Sequence, residues 1–520
     1  MGKYLSRMDT YFGISGSGST LSKEVIGGFT TFATMSYIIF VQPTVLSAAG
    51  MPFGSVLMAT CFSACFASVL MGILARYPVA LAPGMGENFL FAFTVCGPLA
   101  LGGMGFSWQA GLAIVLISGV LFVFISLFAI RTKLMTVLPN CLKNAIGPAI
   151  GMFIAFIGLQ WGGIIAPSPA TMVRLGNLHR AAPLITLLGV TVIAVLMARG
   201  IPGGILLGIL FTYAAGLMTG VLQAETLSQV SLRAWIITVL LAFGAFVLTY
   251  VSFAHRMKHP KKVALGVACL FWAALFSLWT PFRLVGLPAN LSFDTFFSLH
   301  FGELATQWDK TIIAIALFFF LDLFDTVGTL VGVASHAGLL NSDGKLPRAG
   351  RAFFADAAGT CAGALFGTST VTSYIESVSG VAAGARTGLA AVVAGSCFLL
   401  AIFLSPVVEV VGKDYGPVFY NVDASAPHVA MYPAVAPALI VVGLLMMRAL
   451  KNVNWDDITE ALPAFFTLAI MVFGYGITEG IAMGCISFAV VKTVSGRWRE
   501  VHPLMYVVAG LLLLRYSLLV

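Results

Sequence analysis

Apolar stretches of about 20 residues follow one another along this chain from Val25 to its C-terminus. Pro, Gly and Lys or Arg residues separate them. A stretch of this length crosses the hydrocarbon core of a bilayer, which is about 30 Å thick, as a single α-helix. Because lipid offers the backbone no hydrogen-bond partner, spanning segments must be helices or belong to a closed barrel. The runs are continuous rather than alternating, which favours helices over a β-barrel.

The scarcity of charge supports lipid as the main solvent. Of the 520 residues, 59% are hydrophobic and only 9% are charged, whereas a soluble domain carries roughly 25% charged residues. The net charge of +8 lies in short loops, so it does not indicate nucleic-acid binding. The polar start of the chain has no apolar core followed by a cleavage site, so we predict no removable signal peptide. The eight cysteines lie mostly in apolar segments without metal-ligand spacing.

The distribution of positive charge predicts the orientation of the chain. The predicted spans are 25–48, 55–75, 79–97, 109–130, 144–166, 182–199, 203–222, 233–253, 262–279, 311–335, 352–367, 369–384, 386–411, 432–450, 461–475, 478–495 and 504–519. With the N-terminus inside and the spans alternating, 21 of the 28 Lys and Arg residues face the cytoplasm and six face outside. Cytoplasmic loops carry such an excess. The sequence therefore predicts a multi-pass protein of the cell (inner) membrane with a cytoplasmic N-terminus, 1–24. Whether 504–519 crosses the bilayer stays open.

Two apolar segments are too short and too rich in Gly for an ordinary span. They are 79–97 (VALAPGMGENFLFAFTVCG) and 369–384 (STVTSYIESVSGVAAG). Each is the third segment of its half when 233–253 and 262–279 are set aside. Paired interrupted segments indicate an inverted-repeat transporter with its site at the midplane of the membrane. The predicted divisions are a first repeat 25–222, an inserted segment 223–310 with an accessory helical hairpin 233–279, a second repeat 311–495 and a C-terminal segment 496–520.

Acidic residues inside apolar segments are costly and are therefore candidates for function. Asp322 and Asp325 lie in IALFFFLDLFDTVGTLVGVA, and their i, i+3 spacing places both carboxyl groups on one helix face. Glu376 lies in one short segment and Glu87 in the other, and none of these segments contains Lys or Arg. Without a nearby cation such groups take up protons, so we predict that they carry protons and accept the N–H edge of a heterocycle. For Asp325 and Glu87 a structural hydrogen bond is an open alternative, and Asp356 in RAFFADAAGT is interpreted as a helix cap.

Glycines interrupt both short segments. The run 83–86 (PGMG) breaks the first, and Gly367 precedes the second. A helix that begins at such a break presents free backbone N–H groups and the positive end of its dipole to a polar ligand. Asn88 adds a donor and an acceptor. Phe89 and Tyr374 offer flat faces for a planar ring, although most aromatic residues of membrane helices contact lipid or the core.

Four strings carry a resemblance to a known family: EVIGGFTTFATMSYIIFVQP, APGMGENF, FFFLDLFDTVGTLVGVA and GTSTVTSYIESVSGVAAGARTGL. They resemble the AzgA-like purine permeases of the nucleobase–cation symporter 2 (NCS2) group, over 20–222 and 283–510. The resemblance implies an all-α membrane protein with the uracil-permease-type fold. In that fold fourteen helices form two inverted repeats of seven, arranged as a core and a gate domain around two discontinuous half-helices. The resemblance also implies uptake of adenine, guanine or hypoxanthine with protons.

The resemblance places functional residues as well. Asn88 in the first half-helix, Asp322 in the eighth helix and Glu376 in the second half-helix match positions around the substrate. Glu87 departs from the family, which commonly has an apolar residue there, and Gln42 stands where Asn is usual. Together with the patterns above, the candidate substrate-binding residues are Asn88, Asp322, Glu376, Glu87, Phe89, Tyr374, Gly86 and Thr370. The candidate proton-coupling residues are Glu376, Asp322 and Asp325.

The function predicted from the sequence is a proton-coupled symporter for purine nucleobases that works by alternating access without a cofactor or metal. The expected partners are the purine and membrane lipid, with a homodimer as a further expectation and no nucleic acid. One alternative keeps the fold but carries uracil, xanthine or an anion, and the lack of Lys and Arg in the short segments argues against the anion. A membrane enzyme or receptor is disfavoured, because His336, His428 and His502 are scattered and no GxxxxGK[ST] string occurs.

Overall fold

The computed structural model describes residues 2–99, 103–127, 139–168, 171–218, 293–341, 346–412 and 431–518. The predicted hairpin 233–279 lies outside the described residues. The elements of the first half are α1 (Gly2–Phe12), α2 (Leu21–Met35), α3 (Ile38–Ser47), α4 (Phe53–Leu70), β1 (Leu81–Pro83), α5 (Met85–Phe89), α6 (Trp108–Leu127), α7 (Asn140–Trp161), β2 (Ile165–Ser168), β3 (Met172–Leu175), α8 (Ala181–Ala198) and α9 (Gly204–Met218).

The second half, like the first, has one short strand that directly precedes a short helix among long helices. Its elements are α10 (Gly302–Thr306), α11 (Trp308–Ala337), α12 (Ala349–Phe366), β4 (Val371–Ser373), α13 (Ser377–Ala382), α14 (Gly388–Ala401), α15 (Ser405–Gly412), α16 (Ala436–Met446), α17 (Ile458–Phe473), α18 (Ile477–Val494) and α19 (Pro503–Leu518). Seven helical segments of the described part are long and apolar enough to cross a membrane. The chain is therefore a multi-pass membrane protein.

Within the described residues the predicted spans match these helices closely, with three differences. The predicted span 25–48 is divided into α2 and α3 at 36–37. The predicted span 386–411 is divided into α14 and α15, because the chain turns at 402–404. Two antiparallel strand pairs, β1–β4 and β2–β3, also interrupt the helical pattern. Hydropathy cannot reveal either pair, because strands of three or four residues are too short to show a period of their own.

A buried carboxylate fixes the start of α14. Glu24 of α2 is fully buried, and its Oε1 accepts a hydrogen bond from Arg386 N at 2.8 Å. Its Oε2 accepts from Thr387 N at 3.2 Å, and the Thr387 hydroxyl accepts from Leu389 N. The first N–H groups of a helix have no partner within it and favour a negative charge. Glu24 thereby ties the first helix of one half to the second half.

The helices pack as two groups. In the group called here the core group, α14 packs against α2 and α4, α12 against α4 and α6, and α11 against α6. In the gate group, α7 packs against α16 and α17, α18 against α17, and α9 against α8. The strand pair β1–β4 and the short helices α5 and α13 belong to the core group, and α5 also contacts α7. The short segments thus lie next to the boundary between the groups.

Glycines let helices of each group approach closely. A Cβ atom on Gly28 of α2 would lie 2.6 Å from Val393 Cβ of α14. A Cβ atom on Gly151 of α7 would lie 2.8 Å from the Gly443 carbonyl oxygen of α16. In lipid, helix association depends on packing of this kind, because lipid tails are as apolar as Leu.

An ion-pair cluster closes one end of the gate group. The side chain of Lys492 is only 2% exposed, and its Nζ lies 2.7 Å from Glu500 Oε2, 3.8 Å from Asp457 Oδ2 and 3.9 Å from Glu460 Oε1. Arg497 contacts Asp457 Oδ2 at 2.6 Å. The Thr459 hydroxyl and then the Arg497 guanidinium lower the pKa of Asp457, and Arg497 and Lys492 lower the pKa of Glu500.

We expect the substitution Lys492→Met to lower the melting temperature of the detergent-solubilised protein at pH 7 by a few degrees. It leaves three carboxylates without their buried cation. A depressed carboxyl pKa stabilises the fold above the ordinary pKa, and this contribution is lost as pH falls through the folded value. The difference from the wild type should therefore shrink in acid. The exposed Lys451→Met is the matched control, and an equal effect of both substitutions would contradict the role of the cluster.

Candidate functional site at the crossing strands

The two interrupted segments meet in one antiparallel strand pair, β1–β4, whose two strands are called here the crossing strands. Leu81 pairs with Ser373 and Pro83 with Val371. Gly84 N, just beyond the pair, donates to Thr370 O at 2.9 Å. Helix α5 begins after β1 and α13 begins after β4, so two helix N-termini start beside the crossing. The predicted breaks at 83–86 and after Gly367, whose φ is +97°, are confirmed.

Helix α11 directs both of its mid-helix aspartates at this crossing. Asp322 is 1% exposed, and its Oδ2 accepts from Thr360 Oγ1 of α12 at 2.8 Å. Asp325 is exposed, and its Oδ2 accepts from Thr372 Oγ1 of β4 at 3.2 Å. Thr360 Oγ1 also accepts from Val371 N at 3.2 Å. The two carboxyl groups share a helix face, as their spacing predicts.

Glu376 lies at the start of α13 and is held by a tyrosine that the sequence analysis missed. Tyr37, between α2 and α3, donates from its hydroxyl to Glu376 Oε1 at 2.9 Å and is 1% exposed. Glu376 itself is half-buried and lies near Asp325. A lone tyrosine in an apolar span gives no signal of its own. Only the break in the first span at 36–37, after which α3 starts, could have pointed to it.

Glu87 and Asn88 lie on α5, where both are buried. Asn88 Oδ1 accepts a short hydrogen bond from the Ser369 hydroxyl, which joins the two interrupted segments. The Asn88 amide nitrogen makes a weak contact to Met85 Sδ at 4.0 Å. Glu87 lies close enough to Asp325 for the two carboxyl groups to interact electrostatically. Of the predicted residues, the structure therefore brings Glu87 beside the aspartates of α11.

The two aromatic residues of the predicted set, Phe89 and Tyr374, are buried. Phe89 is fully buried, stacked on Phe93 with 5.6 Å between ring centroids and packed edge-on against Phe153 of α7. Tyr374 is also buried, and its hydroxyl donates a short hydrogen bond to the Pro83 carbonyl. Both rings are thus buried in contacts within the protein, and their role as stacking surfaces stays a prediction.

Gly86 and Thr370 complete the predicted set. A Cβ atom on Gly86 would lie 3.0 Å from a methyl carbon of Ile150 in α7, so this glycine lets the half-helix approach the gate group. Thr370 is fully buried, and its Oγ1 has no hydrogen-bond partner among the described residues. Gln42 Oε1 is likewise buried and has no hydrogen-bond partner among the described residues. Gln42 Nε2 donates to Thr368 Oγ1 at 2.7 Å.

Asp356 does not cap a helix. Its helix, α12, begins at Ala349 rather than near Ala352, so Asp356 lies in the second turn and is fully buried. Its Oδ2 accepts from Thr326 Oγ1 of α11 at 2.7 Å. The N-cap interpretation was wrong because the helix starts upstream of the apolar stretch that defined the predicted span.

Five carboxyl groups therefore surround the crossing strands, from Glu87, Asp322, Asp325, Asp356 and Glu376. Within the described part of the chain, none of them forms an ion pair with Lys, Arg or His. No group of three or more His, Cys, Asp or Glu residues there is arranged to hold a metal ion. Such a site can hold protons and accept hydrogen bonds from a neutral polar ligand, and it disfavours an anion.

Comparison with known proteins identifies the kind of molecule. A model described as "Permease family" matches residues 22–413. The chain belongs to this family, the nucleobase–cation symporter 2 permeases. The guanine/hypoxanthine permease PbuG of Bacillus subtilis is 37% identical over 96% of this chain and 97% of its own length. The adenine permease AdeP of Escherichia coli is 36% identical over 98% of this chain and 95% of its own. This permease is accordingly a transporter and not an enzyme.

A solved structure supports the fold. The murine solute carrier 26 family member A9 anion transporter, in its inward-facing state, aligns with this permease at a TM-score of 0.51, covering 94% of this chain and 72% of that one. The two share 12% sequence identity, so the likeness concerns the fold alone. The predicted fold class, an inverted repeat of seven plus seven segments with two discontinuous half-helices, is confirmed.

Proposed function

We propose that this permease is a proton-coupled symporter that imports purine nucleobases such as adenine, guanine or hypoxanthine across the inner membrane. The observation that carries the proposal is the convergence of Asp322, Glu376 and Glu87 on the crossing strands without a cation among the described residues. A purine presents N–H donors on a flat neutral ring, and carboxyl oxygens accept such donors. Relatives similar over nearly the whole chain are named as guanine/hypoxanthine and adenine permeases.

The contacts of the site suggest how a base is held. Asp322 and Glu376 approach the crossing from α11 and α13, and the Asn88 amide group can both donate and accept. Phe89 and Tyr374 are buried in the same short segments, and a planar base could stack on their rings if these open to it. Uracil and xanthine offer similar N–H edges and stay as the alternative substrates. An anion is less well suited, because it would face carboxyl groups without a compensating cation.

The packing of the helices suggests the transport movement. The crossing strands belong to the core group, and α5 contacts the gate group through α7. Phe89 meets Phe153 across that boundary, and Phe93 meets Tyr475 across it with 6.2 Å between ring centroids. Aromatic contacts of this kind can slide without breaking hydrogen bonds. In alternating access the core group would carry base and proton together and rock against the gate group.

The orientation follows from the charges of the loops. The excess of Lys and Arg predicted on one side places the N-terminus in the cytoplasm. A proton taken up outside and released inside then drives base uptake, with Glu376, Asp322 and Asp325 as the candidate carriers. No cofactor is needed for this cycle, and membrane lipid and the base are the partners. A homodimer stays a prediction.

Uptake of radiolabelled bases by cells that lack their own permeases tests the proposal. Wild-type permease should accumulate at least one purine, and a protonophore should abolish accumulation. Glu376→Gln and Asp322→Asn should reduce uptake by about a hundredfold, because each removes a carboxyl group that can bind the base or the proton. Asp309→Asn, at the exposed start of α11, is the matched control. Full uptake in both site variants would refute the site, and accumulation that resists the protonophore would refute the coupling.

Glu87 is expected to tune the choice of base. It is buried beside the aspartates of α11 at a position where the resemblance predicts an apolar residue. Replacing it with Leu removes an acceptor that a base N–H could use. We expect Glu87→Leu to change the order in which unlabelled purines compete with a labelled one, by about tenfold for at least one base. An unchanged order would show that Glu87 serves only the structure.

Tyr37 is expected to act as a positioning residue for Glu376. Its hydroxyl donates to Glu376 Oε1 at 2.9 Å, and Tyr37→Phe removes this bond while keeping the ring. A hydrogen bond to a charged group contributes about 1.5–3 kcal/mol, so we expect a roughly 10- to 150-fold weaker apparent affinity for the base and a shifted pH profile of uptake. A variant that only lowers expression, with affinity and pH profile unchanged, would contradict this role.

A further inference from the structure

A row of four oxygen-bearing side chains leads from the exposed Asp325 into the core group. Thr372 Oγ1 lies 3.2 Å from Asp325 Oδ2. Thr326 Oγ1 lies 3.0 Å from Thr372 Oγ1. Asp356 Oδ2 lies 2.7 Å from Thr326 Oγ1. Thr326 and Asp356 are fully buried and Thr372 is 1% exposed, so water can reach the row only at its Asp325 end.

The row has one hydrogen fewer than its hydrogen bonds require. Three hydrogen bonds need three hydrogens, and the hydroxyls of Thr372 and Thr326 supply only two. If each hydroxyl donates to its neighbouring aspartate, the two threonine oxygens face each other with no hydrogen between them. A proton on Asp325 or on Asp356 completes the row, with all donors pointing away from the protonated end. The geometry therefore has room for one extra proton at either end.

The inner end of the row reaches the predicted substrate residue. The carboxyl groups of Asp356 and Asp322 lie within hydrogen-bonding reach of each other. Their Oδ2 atoms each accept from a threonine, Thr326 and Thr360 respectively. Their Oδ1 atoms are buried and have no other partner among the described residues. Two ionised carboxylates in contact would repel each other in this low dielectric, and one shared proton removes the repulsion.

No Lys, Arg or His of the described residues forms an ion pair with the aspartates of the row. Asp325 lies near Glu376 and Tyr374. The titratable groups that face the row within the described part are Asp322, Glu87, Glu376, Tyr37 and Tyr374. A proton at either end of the row would supply positive charge that these groups do not.

We propose that Asp325, Thr372, Thr326 and Asp356 form a proton relay that delivers the coupling proton from the open side of the site to the Asp322–Asp356 pair. The relay rests on the proposed proton coupling and adds a route and a storage place for the proton. Asp325 takes a proton from water and passes it to Thr372 Oγ1, while Thr372 passes its own hydrogen to Thr326. Thr326 in turn passes its hydrogen to Asp356. No bond other than O–H bonds forms or breaks, and the two hydroxyls end reversed.

Storage at the Asp322–Asp356 pair links the proton to the base. With the proton on Asp356 Oδ2, where Thr326 delivers it, the pair carries a single negative charge, so Asp322 stays beside Asp356 and keeps lone pairs for a base N–H. When the proton leaves along the relay, the two negative charges push apart and Asp322 loses its place. Binding of base and proton at Asp322 is therefore mutually favourable, as a symporter requires.

Purified permease in liposomes that enclose a pH-sensitive dye tests the relay. External adenine, guanine and hypoxanthine are offered in turn, and two rates are measured: base-driven acidification of the interior, and exchange of labelled for unlabelled base at equal pH. Thr326→Val removes the central hydroxyl and should slow acidification by about a hundredfold, the usual size of a positioned proton transfer. Exchange needs no net proton movement and should persist. Asp356→Asn should likewise lose acidification.

Two matched variants control the experiment. Thr326→Ser restores the hydroxyl and should restore acidification. Thr329→Val makes the same change one turn along α11, outside the row, and should behave as the wild type. Wild-type acidification in folded Thr326→Val would overturn the relay. If Thr326→Val does not fold, wild-type acidification in Thr372→Val or Asp356→Asn decides against it equally. Exchange without acidification in the wild type itself would instead refute proton coupling, and the relay with it.

Discussion

The pairing of β1 with β4 is the interaction on which the rest of the site depends. A helix broken inside a membrane leaves backbone N–H and C=O groups that lipid cannot satisfy. Here the two breaks satisfy each other, since Leu81 to Pro83 pair antiparallel with Val371 to Ser373. Neither break could exist alone at this depth. Their pairing brings two helix N-termini, side-chain hydroxyls and five carboxyl groups together in the core group.

Threonines make this polar centre compatible with an apolar surrounding. Thr360 bridges Asp322 to the backbone of β4, and Thr372 and Thr326 connect Asp325 of α11 to Asp356. A threonine presents a methyl group to its apolar neighbours and a hydroxyl to the polar centre. Buried polar groups are costly unless they are hydrogen-bonded, and the hydroxyls meet most of that need without introducing charge. What they leave unmet, at Asp322 Oδ1 and Asp356 Oδ1, is where a proton fits.

The division into core and gate groups determines where the protein can move around the site. The five carboxyl groups belong to the core group, whereas Phe153 and Tyr475 of the gate group meet it through ring contacts with Phe89 and Phe93. The gate group has its own ion pairs, such as that between Lys492 and Asp457, and they hold its helices together. Polar interactions are thus kept within each group. The boundary between them is largely apolar and can move at low cost.

The sequence by itself determined the membrane-spanning class, most helix positions and the two breaks, because hydropathy and Gly-Pro interruptions are local properties. It also pointed to Asp322, Asp325 and Glu376, since a carboxyl group in an apolar run is unusual wherever the run folds. Only the tertiary structure decided which groups they meet. Tyr37 lies hundreds of residues from its partner Glu376, and Asp356 lies tens of residues from its partner Asp322. No local pattern encodes such pairs. The strand pairing joined them, because it brings distant segments to one point in space, and proximity in space rather than in sequence determines where a proton can pass.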